Sequence, residues 1–153
     1  MDGIAALCFP HQATGSLVRD PHGRVAGSSL IGQPFSEPAY FWSRPTAQAN
    51  YDASSSTGTN MGQSGFIAGA AGRLGPNAAL TKQASDRIAA LHAADPGNTQ
   101  PVPADLVTAS ASGLDPDISP EAAYYQAGRV ARARGRSEAE VRAIVEAHVQ
   151  GRT

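Results

Sequence analysis

Residues 52–77 form a serine- and glycine-rich stretch that separates two unlike parts of the chain. The stretch begins DASSSTGTN and contains five further glycines up to Gly75. Small polar residues bury too little surface to offset the entropy of ordering, so we expect much of this stretch to form a loop. Segments with strand character precede the stretch, and segments with helix character follow it. This order predicts the α+β class: a single domain with short N-terminal strands, about three helices and a long Gly/Ser/Ala-rich loop.

Length and charge narrow the functional classes that remain. The 153 residues suffice for one domain, since two would each be too small to bury a good core. The net charge of −1 gives no electrostatic footprint for nucleic acid or for an anionic membrane surface. Cys8 is the single cysteine, which excludes an internal disulfide framework and a CxxC metal site.

The chain starts with a short apolar run from Gly3 to Phe9, GIAALCF. Seven residues of helix span only about 10 Å, roughly a third of the hydrocarbon core of a bilayer. From the residues alone, two interpretations remain open. The run is either a buried strand or helical turn at the N-terminus, or the end of a longer apolar helix.

Two short strands are predicted before the serine-rich stretch. Ser16-Leu17-Val18 leads into the turn sequence DPHG at residues 20–23, and residues 25–33 then have strand character. An aromatic cluster follows at Tyr40-Phe41-Trp42 and is closed by Arg44-Pro45.

Local signals predict three helices after the stretch. Asn77 caps the first, which ends before Asp95, and its apolar face carries Leu80, Ala84, Ile88 and Leu91. Ser119-Pro120 begins the second, which continues to about Arg134 with Gly135 after it. The capping box Ser137–Glu140 begins the third, with Val141, Ile144, Val145 and His148 on one face. Between the first two helices, residues 106–113 start with strand character and continue into small residues.

The residues alone show no complete catalytic motif. The four histidines, His11, His22, His92 and His148, lack metal-ligand spacing, and neither a phosphate-binding P-loop nor a GxSxG motif is present. Two classes therefore stay open. One is an interaction subunit, and the alternative is a free-standing hydrolase-like or binding domain that uses the segment with Ser110, Ser112 and Asp115.

Two groups of charged residues have both a structural and a functional interpretation. Asp115 and Asp117 precede a helix N-terminus, where carboxylates stabilise the helix dipole, and general acid–base chemistry is the less favoured alternative. Four arginines, Arg129, Arg132, Arg134 and Arg136, lie at the end of the second helix. We expect them to form a solvated face, with contact to an acidic partner or a phosphate as the alternative.

Ordered blocks across the chain resemble the C subunit of Kdp-type potassium-transporting P-type ATPases. The longest is PADLVTASASGLDPDISPEAAYYQAGRVARAR, residues 103–134. Shorter blocks precede it in family order, namely FPHQA from Phe9, GSL from Gly15, GSSLIGQ from Gly27, YFWSRPTA from Tyr40, Tyr51-Asp52 and GTN from Gly58. The blocks cover most of the chain, and VTASASGLDP is an unusual string.

The resemblance implies an accessory role in high-affinity, ATP-driven potassium uptake in bacteria. The family's C subunit has one N-terminal transmembrane helix and a soluble domain outside the cytoplasmic (inner) membrane. It is needed for assembly with a channel-like subunit and an ATP-hydrolysing subunit. It is described as a catalytic chaperone that raises the ATP affinity of the pump subunit through a ternary complex, without being the hydrolase. Potassium is then an indirect partner, no metal site is expected, and no cofactor is bound tightly.

The resemblance also assigns regions and residues of this chain. Residues 1–9 correspond to the last turns of the membrane helix, and residues 10–150 to the extracytoplasmic domain. Compared with the family, Met61–Leu74 is an insertion that we expect to be a surface loop. The family's motif segment marks a possible partner contact through Thr108, Ser110, Ser112, Gly113, Leu114, Asp115 and Arg129.

Gln126 aligns with a glutamine that is implicated in nucleotide binding in the family. A domain outside the membrane cannot contact cytoplasmic ATP directly, so hydrogen bonding within the fold or to the channel-like subunit is the favoured alternative for Gln126. A lid or filter over the potassium entrance is a further possibility, with Asp115 and Asp117 attracting the cation.

Overall fold

The computed structural model describes residues 2–45, 48–52, 57–60, 66–68, 74–76, 78–110 and 113–151. Two short helices come first, α1 (Asp2–Cys8) and α2 (Pro10–Ala13). The apolar run is therefore helical as far as Cys8, which excludes the strand. Ile4, Leu7 and Phe9 are exposed, so the alternative of a buried strand or helical turn is wrong as to burial. Within the described residues, none of the helices is long and apolar enough to cross a membrane.

The predicted N-terminal strands form an antiparallel hairpin. Strand β1 (Leu17–Arg19) pairs with β2 (Val25–Ser28). Asp20 organises the turn, because its carboxylate accepts hydrogen bonds from the backbone N–H groups of His22 and Arg24. The second strand is shorter than predicted. It ends at Ser28, whose hydroxyl accepts a hydrogen bond from Leu30 N and so turns the chain.

The serine- and glycine-rich stretch contains more strand than predicted. Strand β3 (Gln48–Asp52) pairs antiparallel with β4 (Thr57–Asn60), and β5 (Phe66–Ala68) with β6 (Leu74–Pro76). Threonine, isoleucine and aromatic residues occur in these strands among the small residues, and such residues favour extended backbone. Pairing also satisfies backbone polar groups that a loop would leave to water. The expected surface loop at residues 61–74 therefore includes β5, and its other residues lie mostly outside the described part.

Helix α3 (Ala78–Ala94) ends before Asp95, as predicted. The predicted cap Asn77 and the side chain of Leu80 lie outside what the structure describes. On the predicted apolar face, Leu91 is buried, and Ala84 and Ile88 are partly buried.

The segment after α3 differs from the prediction. A 3₁₀ turn at Ala104–Leu106 stands where a strand was expected to begin. Both the backbone N–H and the hydroxyl of Thr108 donate to the carbonyl oxygen of Ala104, which closes the turn. Leu106 is fully buried there, so tertiary packing overrides the local strand propensity.

The last two helices follow their capping signals. Helix α4 (Pro120–Ala133) begins after Ser119, whose hydroxyl accepts from Ala122 N, and Gly135 follows with a φ of 62°. Helix α5 (Glu138–His148) begins with the predicted capping box. Of the four residues predicted to share one face, Val141 is buried, Val145 is partly buried, and Ile144 and His148 are exposed.

Two buried clusters hold these elements together. The first contains Leu91 of α3, Leu106, Trp42 and the α4 residues Ala122 and Tyr125. The second joins α4 to α5 through Ala127, Val130, Ala131 and Val141. Helix α4 belongs to both clusters and is therefore the central element of the domain.

Candidate functional site

The motif segment, residues 108–118, packs against an irregular segment that we term the strap, residues 29–45. Gly32 N donates to the carbonyl oxygen of Leu114 at 2.8 Å. Arg44 reaches the motif segment twice, with Nη2 donating to Ala109 O and Nη1 donating to Oδ2 of Asp115, both at 3.2 Å. The strap thereby fixes the backbone path of the motif segment.

Two glycines allow this close approach. A Cβ atom on Gly32 would lie 2.7 Å from the carbonyl oxygen of Asp115, which is too close for any side chain. Gly113 is buried and has a φ of 72°, a conformation that residues with a side chain rarely adopt. Both positions therefore require glycine for the geometry of the segment.

Ser110 organises the turn that leads to Gly113. Its hydroxyl oxygen accepts hydrogen bonds from Gly113 N at 3.1 Å and from Asp115 N at 3.4 Å. These two contacts are those of a serine that forms a turn. Thr108 likewise bonds to backbone, and Ser112 lies outside the described residues.

Of the two acidic residues ahead of α4, only Asp115 has partners for its carboxylate in the described structure. This carboxylate pairs with Arg44 and accepts from Asp117 N at 3.0 Å, so its contacts lie outside α4. Asp105, which the sequence analysis did not single out, instead accepts from Ser119 N at the start of α4.

Gln126 lies in the middle of α4 and is 1% exposed. Its Oε1 accepts from Trp42 N at 2.7 Å and from Arg129 Nη2 at 2.6 Å. Its Nε2 donates to Trp42 O at 3.1 Å and to Ala122 O at 3.2 Å. The amide therefore pairs with both backbone polar groups of Trp42, as a neighbouring strand would, and its hydrogen-bonding capacity is fully used within the fold.

Arg129 is 4% exposed, so the predicted solvated face is wrong for this residue. Its Nη1 donates to the carbonyl oxygens of Pro38 and Tyr40. Arg129 and Arg87 each place their guanidinium carbon 4.9 Å from the ring centre of Trp42. Burial lowers the pKa of both arginines, and at Arg129 the carboxylate of Asp95 opposes this effect.

The other arginines of that group also have partners. Arg132 pairs with the buried carboxylate of Asp95, and Arg134 Nε donates to Ala39 O. Arg136 lies 3.8 Å from the Glu140 carboxylate. Arg132, Arg134 and Arg136 are exposed, as predicted, but they act mainly as internal hydrogen-bond and ion-pair donors.

Six of the predicted site residues fall into two groups that the strap joins. Ser110, Gly113, Leu114 and Asp115 form one group, and Gln126 and Arg129 form the other. Trp42 pairs with Gln126, the Ser43 carbonyl accepts from Arg87 Nη2 at 2.9 Å, and Arg44 pairs with Asp115. Besides Asp105, sequence reasoning missed the roles of Arg44 and Arg87. The sequence block YFWSRP contains the first of them, and no local signal marks the second.

The described residues contain no group of three or more histidine, cysteine, aspartate or glutamate side chains that could hold a metal ion. The histidines at positions 11, 22, 92 and 148 are exposed.

Comparison with known proteins gives a consistent result. The model of the family described as K+-transporting ATPase, c chain, matches residues 1–153. A potassium-transporting ATPase KdpC subunit of Sorangium cellulosum is 53% identical over 151 residues, covering 97% of this chain and 73% of that relative. A subunit of the same name from Methylibium petroleiphilum is 54% identical over 153 residues, covering 98% of this chain and 73% of that relative. A third, from Dechloromonas aromatica, is 53% identical over 153 residues with the same two coverages.

Proposed function

The chain belongs to the family of K+-transporting ATPase c chains, and we propose that it is a non-catalytic accessory subunit of an ATP-driven potassium uptake complex. The observation that carries this proposal is the match of the family model to all residues from 1 to 153. The relatives are named as subunits, so the activity belongs to an assembly, and the other subunits are the partners of this chain.

The geometry of the candidate site supports a non-catalytic role. Ser110 accepts hydrogen bonds from backbone N–H groups, and Asp115 is paired with Arg44. In a nucleophile with an adjacent base, the base accepts the proton of the nucleophile, whereas the Asp115 carboxylate pairs with an arginine. The alternative of a free-standing hydrolase that uses Ser110, Ser112 and Asp115 is therefore not favoured.

The finer role that we propose is assembly of the complex and a rise in the ATP affinity of the pump subunit. We attribute both effects to protein–protein contact with the channel-like and ATP-hydrolysing subunits. The chain would not touch potassium directly. Asp115, one of the two carboxylates considered for a cation, is already paired with Arg44.

Direct binding of ATP through Gln126 stays a prediction of the family resemblance. The described geometry is unfavourable for it, since a nucleotide would have to replace hydrogen bonds to Trp42, Ala122 or Arg129. Calorimetric titration of the purified chain with ATP decides the matter. Heat of binding that disappears in Gln126→Ala, with the variant still folded, would establish the contact. No heat for the unmodified chain would remove it.

We place the complex in the bacterial cytoplasmic (inner) membrane, with residues 10–150 on its extracytoplasmic side and residues 1–9 next to the bilayer. The exposed apolar side chains of Ile4, Leu7 and Phe9 support the second assignment.

Cysteine accessibility to a membrane-impermeant maleimide tests on which side of the membrane residues 10–150 lie. In a Cys8→Ser background, we expect Ser36→Cys, at an exposed position of the strap, to react in intact spheroplasts, and protection until lysis would contradict the placement.

Co-purification tests membership in the complex. The tagged chain, co-expressed with the other subunits of its potassium-transporting ATPase in a host that lacks its own, should recover those subunits in fixed ratio. An unrelated membrane protein with the same tag is the control. Recovery no better than this control would overturn the proposal.

A further inference from the structure

A groove of about 720 Å³ lies beside the candidate site. Its walls come from residues 28–43, from residues 116–123 at the start of α4, and from the end of α5 through Gln150. More than half of the lining residues are apolar, and three of these apolar side chains are exposed to solvent. Ile144 is 60% exposed, Phe35 46% and Val149 45%.

The apolar lining from α5 belongs to a helix face that the fold covers only in part. The sequence periodicity places Val141, Ile144, Val145 and His148 on one face of this helix. The fold buries Val141 against α4, whereas Ile144, Val145 and His148 line the groove. An amphipathic face normally packs against another element, and the described chain leaves this half of the face exposed or only partly buried.

The charges of the groove restrict what it binds. Asp117 is the one acidic residue among the described lining residues, and no lysine or arginine lines the groove. Within the described part of the chain, the Asp117 carboxylate has neither an ion pair nor a hydrogen bond. The hydroxyls of Ser28, Ser43 and Ser119 form hydrogen bonds with backbone groups of the chain itself. Apart from His148, whose ring Nδ1 lies 2.7 Å from the carbonyl oxygen of Ile144, a phosphate group would meet a carboxylate and no cationic side chain. An apolar segment with a basic residue would match both the lining and Asp117.

We propose that this groove binds an apolar segment of a partner subunit, with a lysine or arginine of that segment facing Asp117. The proposal rests on the proposed function, because it assumes that the chain works inside an assembly. The apolar side chains of the partner segment fill the space between Phe35 and Ile144 and exclude water. The ion pair with Asp117 fixes the position of the segment along the groove.

Site-specific photo-crosslinking in the assembled complex tests the proposal. The full chain is co-expressed with the other subunits, with p-benzoylphenylalanine in place of Phe35. The matched control places the same residue at Ala143, which is exposed on α5 but does not line the groove. We expect a crosslink from position 35 to another subunit, in a peptide with lysine or arginine close to the crosslinked residue, and none from position 143.

Variants then test the two kinds of contact. Ile144→Asp and Asp117→Lys should each reduce the crosslink from position 35 by about tenfold or more, as expected for central interface residues. Ala143→Asp and Asp117→Glu should leave it within about twofold of the unmodified level, since such surface changes have small effects. Circular dichroism checks that every variant is folded. Because Asp117 is exposed, Asp117→Lys keeps the test valid if Ile144→Asp fails to fold.

Three results would overturn the proposal. They are a crosslink only to lipid or to a second copy of this chain, a crosslink to a peptide without a basic residue, and a crosslink that neither variant weakens. These results are distinguishable from failure of the proposed function, because in that case the unmodified tagged chain would not recover the other subunits at all.

Discussion

Two polar side chains of α4 that could take part in binding or catalysis form most of their hydrogen bonds with the backbone of the strap. Gln126 pairs with the N–H and the carbonyl of Trp42, and Arg129 donates to the carbonyls of Pro38 and Tyr40. The strap has no regular secondary structure in this region, so its backbone polar groups depend on side-chain partners. A buried polar group without a partner is costly, which explains why a glutamine and an arginine occupy the interior of α4.

Gln126→Ala is expected to lower the free energy of unfolding by about 2–4 kcal/mol. The substitution leaves Trp42 N–H and one N–H of Arg129 buried without an acceptor, and each such group costs about 1–3 kcal/mol. Urea unfolding followed by Trp42 fluorescence measures the change. Gln100→Ala, at an exposed position, is the control and should change the free energy of unfolding by less than about 0.5 kcal/mol. Equal stability of the two variants would contradict a structural role for Gln126.

Gly32→Ala is expected to destabilise the domain by about 1–3 kcal/mol, because the new methyl group would clash with the carbonyl oxygen of Asp115. The clashing atom belongs to the backbone and cannot rotate away. Gly97→Ala is the matched control, since nothing lies within 4 Å of its Cβ position. Thermal unfolding of both variants gives the comparison, and a Gly32→Ala variant as stable as the control would show that the strap can move away from the motif segment.

Sequence reasoning found important residues here but not their roles. Gln126 and Arg129 were selected by resemblance, while their partners lie 84–91 residues away along the chain. Periodicity and spacing report neighbours within one element, so they carry no information about contacts at that separation. For the same reason Arg44 and Arg87 could not be recognised as the residues that attach the strap.

Among the elements, the helices were the most predictable, because their ends are coded locally. Ser119-Pro120 begins α4, and the Ser137–Glu140 box begins α5. The Thr108 region and the serine- and glycine-rich stretch were less predictable. Near Thr108, the burial of Leu106 determines the structure against the local composition. In the serine- and glycine-rich stretch, the pairing of strands does so.

Ser137→Ala tests the capping box of α5. The pKa of Glu140 lies below its ordinary value because its carboxylate accepts hydrogen bonds from the backbone N–H and the hydroxyl of Ser137, with a smaller attraction from Arg136. Removing the hydroxyl should raise the pKa of Glu140 towards its ordinary value. Loss of the cap should lower the free energy of unfolding by about 1 kcal/mol. Carboxyl NMR titration and urea unfolding measure the two effects.

The sign of the pH dependence follows from the lowered pKa of Glu140. A carboxyl whose pKa is lower in the folded state stabilises the fold above its unfolded pKa of about 4.3, and this stabilisation is lost as the pH falls through the folded pKa. The unmodified protein should therefore lose more stability than Ser137→Ala on acidification below about pH 4. Ser36→Ala is the control, and an identical acid response in Ser137→Ala and Ser36→Ala would contradict the role of the capping box.

At the scale of the whole molecule, the order of strands before helices was sufficient to predict the α+β class. Helix α4 joins two buried clusters, and the strap attaches to it on one side and to the motif segment on the other. The partly covered face of α5 could not be foreseen, because a periodic apolar face does not show whether its partner is the same chain or another one. That unfilled face is consistent with a domain that completes its packing inside an assembly.

The central claim is that this chain contributes contacts and not chemistry to potassium transport. Its most direct test is the potassium-stimulated ATPase activity of the complex, purified with and without this chain and measured as a function of ATP concentration. We predict that omission of the chain abolishes stable activity or raises the KM for ATP, and that adding back the unmodified chain restores it. Full potassium-stimulated activity with an unchanged KM for ATP in the absence of the chain would contradict the account.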